Sequence, residues 1–203
     1  HPSGIGHLVI FGTGKYFEDT DKDGDKSMAQ TVYGIWDAKT KPTDTTSAIT
    51  ITRSNLVTQN IVTEQTAVDS NNQSSAARTI TDNEIAWFVS DANGASSINK
   101  YGWALDLKVG STLDGEMVIE DMVTLGRTLF FQSLVPNDDP CADGSSNWTY
   151  AINPSTGGKT QHHAFDLRFT TPGKENDIIS GRKQDGEGGI TATQNPDGSF
   201  DLC

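Results

Sequence analysis

Residues 7–14 read HLVIFGTG and residues 31–40 read TVYGIWDAKT; residues 127–136, RTLFFQSLVP, and 149–158, TYAINPSTGG, follow the same plan. Each copy runs from an apolar, strand-length stretch through a polar insert rich in Asp to a Tyr-x-Ile stretch. Each then places an acidic or amide residue three before a threonine: Asp37 with Thr40, Asn153 with Thr156. YGWALDLK, residues 101–108, is a third copy of the closing stretch. Repeated strand pairs ending in a turn of one kind are the sequence signature of propeller blades. Two copies and a partial third supply about three blades, fewer than the roughly four of the smallest closed propeller. The expected fold is therefore all-β, with antiparallel strands forming the C-terminal blades of an incomplete β-propeller.

The rest of the chain agrees in texture. AITITRS, EIAWFVS, EMVIEDMVT and WTYAI are short, rich in β-branched or aromatic residues, and bounded by Gly, Asp, Asn or Pro. SNLVTQNIVTEQ, residues 54–65, comes closest to a helical period and reads equally as a strand pair. Residues 66–83 and the acidic, Gly-rich tail 170–203 read as irregular segments. Residues 1–203 form one domain or a fragment of one.

Fifteen basic against twenty-seven acidic residues give a formal charge of −12, which repels nucleic acid and anionic lipid. No apolar run approaches the ~18 to 20 residues that cross a bilayer as a helix, and an export signal is expected upstream or already removed. Few charges relative to Ser, Thr, Asn and Gly, together with a low pI, fit an exported protein. The two cysteines, Cys141 and Cys203, allow at most one internal disulfide, which would tie the chain end to the DPC segment at 139–141. Two free thiols in a cytosolic protein is the alternative.

GTGKYFE at 12–18 followed by QTVYGIWD at 30–37 resembles the C-terminal propeller domain of the PilY1/PilC family of type IV pilus proteins. RSNLV at 53–57, YGWALDL at 101–107, GE at 115–116, LVPNDDPCADGSSNW at 134–148, and Ala164-Phe165 ahead of Asp166 continue the likeness in order. The resemblance implies a bacterial protein at the cell surface or pilus tip. It implies roles in pilus biogenesis, retraction control and adhesion, with minor pilin or other pilus subunits and a host or surface receptor as partners. It implies no enzymatic activity. The long Asp-rich insert is not a fixed family feature, so calcium binding rests on the residues themselves.

That insert, EDTDKDGDKS at 18–27, sets carboxylates on alternate residues around one glycine. Aligned to a twelve-residue calcium loop, Asp19, Asp21 and Asp23 take positions 1, 3 and 5, Gly24 position 6, Asp25 position 7, Ser27 position 9 and Gln30 position 12. Three carboxylates wrap one side of the ion, glycine permits the sharp turn, and position 7 supplies its backbone carbonyl. Gln30 offers one neutral oxygen where a bidentate Glu is usual, so the expected Ca²⁺ site is weak, on the order of 10⁻⁴ to 10⁻³ M. The competing reading is a hydrated acidic hairpin tip.

Other chemistry has less support. His1 with His7, His162 or His163 invites comparison with secreted copper monooxygenases, where a terminal amine and two imidazoles hold copper. His162 and His163 are adjacent and in a strand would face opposite sides. Asp138 with Asp139, or Glu120 with Asp121, read as solvated turns rather than a glycosidase pair. Residues 174–189, with Asp177, Asp185 and Glu187, lack the alternation of a metal loop. Trp36, Trp87, Trp103 and Trp148 sit in or beside apolar strands and are expected in the core. No G-x-S-x-G, H-E-x-x-H, C-x-x-C or phosphate loop is present.

Overall fold

Strands dominate the computed structural model of the chain, which describes residues 6–15, 25–38, 49–137, 145–185, 192–194 and 200–202. In chain order they are β1 His7–Gly12, β2 Thr31–Asp37, β3 Val57–Val68, β4 Ser74–Ile80, β5 Phe88–Ser90, β6 Ser96–Ile98 and β7 Gly102–Val109. There follow β8 Val123–Leu125, β9 Thr128–Val135, β10 Ser146–Ile152, β11 Arg168–Phe169, β12 Gly181–Asp185, β13 Ala192–Gln194 and β14 Phe200–Leu202. A 3-10 turn at Arg53–Asn55 is the one helical element among the described residues.

Both copies of the repeated plan are antiparallel hairpin pairs: β1 pairs β2 with Phe11 opposite Tyr33, and β9 pairs β10 with Phe131 opposite Tyr150. They belong to one ten-stranded sheet in the order β1-β2-β7-β3-β4-β12-β10-β9-β8, all antiparallel except β3 with β7. The long β3 gives one edge to β4; its other edge takes β7 first and then β11, at Ala67 and Val68.

The two ends of this sheet come together. Met117 exchanges two backbone hydrogen bonds with Leu134 of β9, at 2.9 and 2.8 Å, and the next amide, Val118, donates to Thr13 just past β1 at 3.2 Å. Gly12 and Gly14 make the approach possible, because a Cβ on either would stand 2.8 Å or less from Val118 or Met117. One core cluster consequently draws on strands from across the sheet order, including Val32, Ile61, Ile80, Trp103, Leu105, Phe131, Trp148 and Ile152.

Trp103 sits at the middle of that core. Its indole is fully buried, fills the space above Gly34 on the neighbouring strand, and is capped by Gly157, where a Cβ would lie 2.2 Å from the ring. The indole N–H donates to the Pro154 carbonyl at 3.0 Å, so the ring is both packed and satisfied. Removing ~150–250 Å² of aromatic surface from water at about 25 cal/mol per Å² contributes roughly 4–6 kcal/mol before conformational entropy. Trp36 and Trp148 are likewise buried, as expected, while Trp87 is partly buried and meets Trp36 edge-on at 5.9 Å.

Several segments differ from their sequence reading. Residues 54–65 enter β3, with partners on both edges; its β-branched residues suit that setting. Residues 66–83 are not a loop: they hold the end of β3, a turn and all of β4. The Asp69 carboxylate accepts the amides of Asn71 and Gln73, both at 2.8 Å, and Asn72 takes φ +60°, which together turn the chain. SSAARTI conceals a strand because its small residues and a lone arginine lack the β-branched and aromatic bulk that marks one. The tail contributes β12, inserted between β4 and β10, where flanking strands supply the partners that its charged sequence does not advertise. AITITRS forms no strand among its described residues and leads into the 3-10 turn. EIAWFVS keeps only Phe88–Ser90 as strand, in a hairpin with β6, and EMVIEDMVT only Val123–Thr124, with Met117 and Val118 bridging the sheet ends.

Candidate functional site

The acidic insert is the loop of the β1–β2 hairpin, and its base is firmly tied. Thr13 and Thr31 close it, with Thr13 N–H to the Thr31 carbonyl at 2.9 Å and Thr31 N–H to Thr13 Oγ1 at 2.8 Å. Thr31 Oγ1 donates to Asp106 on β7 at 2.7 Å. Asp106 also receives Arg53 at 2.7 Å, and the guanidinium lies 5.6 Å from the centre of the Tyr33 ring. Burial opposes the Arg53 charge, but Asp106 and Tyr33 outweigh it and hold the guanidinium above its ordinary range.

Of the residues expected to hold calcium, Asp19, Asp21 and Asp23 lie outside the described residues. Asp25 and Ser27 are brought together: Asp25 Oδ1 accepts Ser27 N–H at 2.8 Å and Ser27 Oγ at 2.6 Å, both exposed. These two bonds hold the Asp25 carboxyl below the usual aspartate range. Gln30 extends the sheet, its backbone carbonyl accepting Leu107 N–H at 2.9 Å. At the exit of the loop the Asp25 side chain thus orders the backbone ahead of Ser27, and the Ser27 hydroxyl is engaged with that carboxylate. Among the described residues no three His, Cys, Asp or Glu side chains converge. Cys141, Cys203, His1, Asp138, Asp139 and Glu187 also fall outside the described residues.

His7 is exposed on β1, and His162 and His163 are exposed in a non-strand segment that faces the β8–β9 turn. Because that segment is not a strand, the two neighbours line one cleft instead of opposite faces. Glu120 and Asp121 are exposed, and Asp177 pairs with Lys174 at 3.2 Å.

A buried polar cluster is the feature that sequence reasoning missed. Glu64, Arg78, Gly181, Tyr150 and Phe131 stand in one cross-strand row over β3, β4, β12, β10 and β9. Gly181 lets the row close over it, since a Cβ there would stand 3.0 Å from the Tyr150 ring and 3.2 Å from Arg78 Cβ. Arg78 Nε donates to Glu64 at 2.8 Å and Nη1 to Glu116 at 2.6 Å and to the Tyr150 hydroxyl. Tyr150 donates to Glu116 at 2.8 Å, Ser133 donates to the same carboxylate, and the guanidinium lies 3.7 Å over Trp148. Burial opposes the Arg78 charge, yet Tyr150 and Glu116 hold it above its ordinary range. Burial and Glu116 push the Tyr150 phenol well up against the pull of Arg78. Glu116 was visible in sequence only as half of a GE pair, and Arg78 sat within a presumed loop.

Known proteins match along the whole chain. The family model described as the PilY1 beta-propeller domain matches residues 1–77. The type IV pilus biogenesis factor PilY1 of Pseudomonas aeruginosa strain UCBPP-PA14 is 44% identical over 211 residues, covering 100% of this chain. A PilY1 homolog of Xylella fastidiosa is 32% identical across 75% of it. The crystal structure of the P. aeruginosa PilY1 C-terminal domain superposes with a TM-score of 0.86 at 38% identity, over 100% of this chain and 41% of that one. The chain spans 18% of the length of the P. aeruginosa relatives. It belongs to the PilY1 family, as part of the C-terminal β-propeller domain.

Proposed function

We propose that this chain is a non-enzymatic part of a type IV pilus protein, exported to the bacterial cell surface or pilus tip, that acts in pilus biogenesis, retraction control and adhesion. The observation that carries the reading is identity of 42–44% to pilus biogenesis factors along the full chain. Minor pilins or other pilus subunits are its partners in this reading, with a host or surface receptor for adhesion. The β1–β2 loop holds Ca²⁺ through Asp19, Asp21, Asp23, Asp25, Ser27 and Gln30, and Cys141 pairs with Cys203. Calcium supplies positive charge to a loop whose carboxylates otherwise repel one another, so that the loop orders at the sheet edge.

The test is deletion of the segment encoding residues 1–203 in the source bacterium. Surface piliation, twitching motility and attachment are expected to fall together and to return on complementation. A deletion strain with parental pili, motility and attachment would overturn the reading.

A further inference from the structure

At the end of the sheet order opposite the acidic loop, a cleft of about 890 Å³ opens between the β8–β9 turn and residues 153–164. That volume lies within the roughly 300–1,000 Å³ typical of small-molecule sites. Both walls are built on defined turns and backbone hydrogen bonds. On one side a two-residue turn, with Gly126 at φ +58°, carries Arg127 at its tip. On the other, Asn153 N–H bonds the Gly158 carbonyl at 2.8 Å, and Trp103 holds the Pro154 carbonyl from below. Thr160 Oγ1 donates to the His162 carbonyl at 2.7 Å, fixing the bend that presents His162 and His163.

The cleft's ionisable lining is of one kind. Arg127, His162 and His163 are the ionisable side chains among its described lining residues; no Asp or Glu is there, in a chain with twenty-seven acidic residues. All three are exposed. The neutral lining includes Thr128 and Ser155 hydroxyls beside the Pro154 ring, which suits a ligand with alternating hydroxyls and C–H faces. A guanidinium takes a carboxylate or sulfate in a bidentate grip, and imidazoles add further hydrogen-bond donors.

We propose that this cleft binds an anionic saccharide, with Arg127 gripping the acid group and His162 and His163 donating to it. The site is independent of the acidic loop and of the pilus role.

The test is calorimetric or NMR titration of the 203-residue chain with trigalacturonate, a sulfated disaccharide and maltotriose. Saturable millimolar binding of an acidic sugar is expected, at least about fivefold tighter than maltotriose. Preference between the carboxylated and sulfated probes then identifies the acid group. Arg127→Gln should weaken binding at least about fivefold, and His162→Gln with His163→Gln should weaken it as well. These exposed side chains should leave the melting midpoint unchanged, which a parallel melt checks. Equal binding of maltotriose, unchanged affinity in Arg127→Gln, or no saturation by ~20 mM would each overturn the proposal.

Discussion

Arg78 and Glu116 meet at 2.6 Å with no more than 2% of either side chain exposed. Glu116 directly precedes Met117 and Val118, whose backbone joins β9 to the β1–β2 hairpin. The ion pair therefore pins the segment that brings the sheet ends together. Removing Glu116 leaves the buried guanidinium with only the exposed Glu64 as counter-charge and costs up to about 3–5 kcal/mol. Glu116→Ala should lower unfolding free energy in urea by about that amount, whereas Arg78→Met with Glu116→Leu should lose far less. Equal losses in the single and double variants would show that the pair is not the source.

Tyr150 makes alkaline pH a second probe of the same cluster. Its folded phenol is pushed up, first by burial and then by Glu116. A group raised on folding contributes stability that is complete below its unfolded value, about 10 for tyrosine, and lost as pH rises beyond it. Above pH ~10 the stability should fall by up to about 1.4 kcal/mol per pH unit from this residue. Tyr150→Phe should remove that part of the slope in denaturation curves recorded from pH 9 to 11.

Two glycines separate lack of space from backbone strain. Gly94 has φ +79° and nothing within 4 Å of a built Cβ, while Gly157 has φ +69° and the Trp103 ring at 2.2 Å. Gly94→Ala should cost about 1–2 kcal/mol from the left-handed backbone alone. Gly157→Ala should cost a further ~1–3 kcal/mol from overpacking. Thermal midpoints and Trp fluorescence would show the difference, with the Trp103 environment altered in the second variant alone.

The apolar stretches HLVIFG, TVYGIWD, GWALDLKV, TLFFQSLV and WTYAI lie in β1, β2, β7, β9 and β10, because bulky β-branched and aromatic residues mark strands directly, whether buried as in β9 and β10 or half-exposed as in β1. The repeated hairpin plan was legible for the same reason. β4 and β12 were not: their small and charged residues become strand only because neighbours occupy both edges and Gly181 makes room for Arg78 and Tyr150. The join between sheet ends rests on Gly12, Gly14 and a pair of backbone bridges, none of which has periodicity. The buried cluster draws Arg78, Glu116, Ser133 and Tyr150 from separate strands and segments, with the exposed Glu64 at its rim, a convergence that spacing along the chain does not encode. For the acidic loop the exit residues Asp25, Ser27 and Gln30 are placed, and the alternating carboxylates before them remain a reading of spacing.

Ser27 should control the charge of its neighbour. Its side-chain and backbone donors lower the Asp25 carboxyl, so that carboxyl should titrate below the ordinary aspartate range when followed by NMR. Ser27→Ala removes the hydroxyl and should raise the midpoint toward the ordinary value. Because a lowered carboxyl stabilises the fold above its unfolded value and ceases to do so on acidification, any effect on stability should be confined below pH ~4.

The proposed function turns on calcium holding the β1–β2 loop, and a thermal melt reads that most directly. The chain would be melted in EDTA, then with ~1–10 mM Ca²⁺ or Mg²⁺, beside the variant carrying Asp21→Ala and Asp23→Ala. The account predicts a midpoint raised by calcium, raised less by magnesium, and unmoved by either in the variant. A parental midpoint indifferent to calcium, or a rise that survives the double substitution, would contradict it.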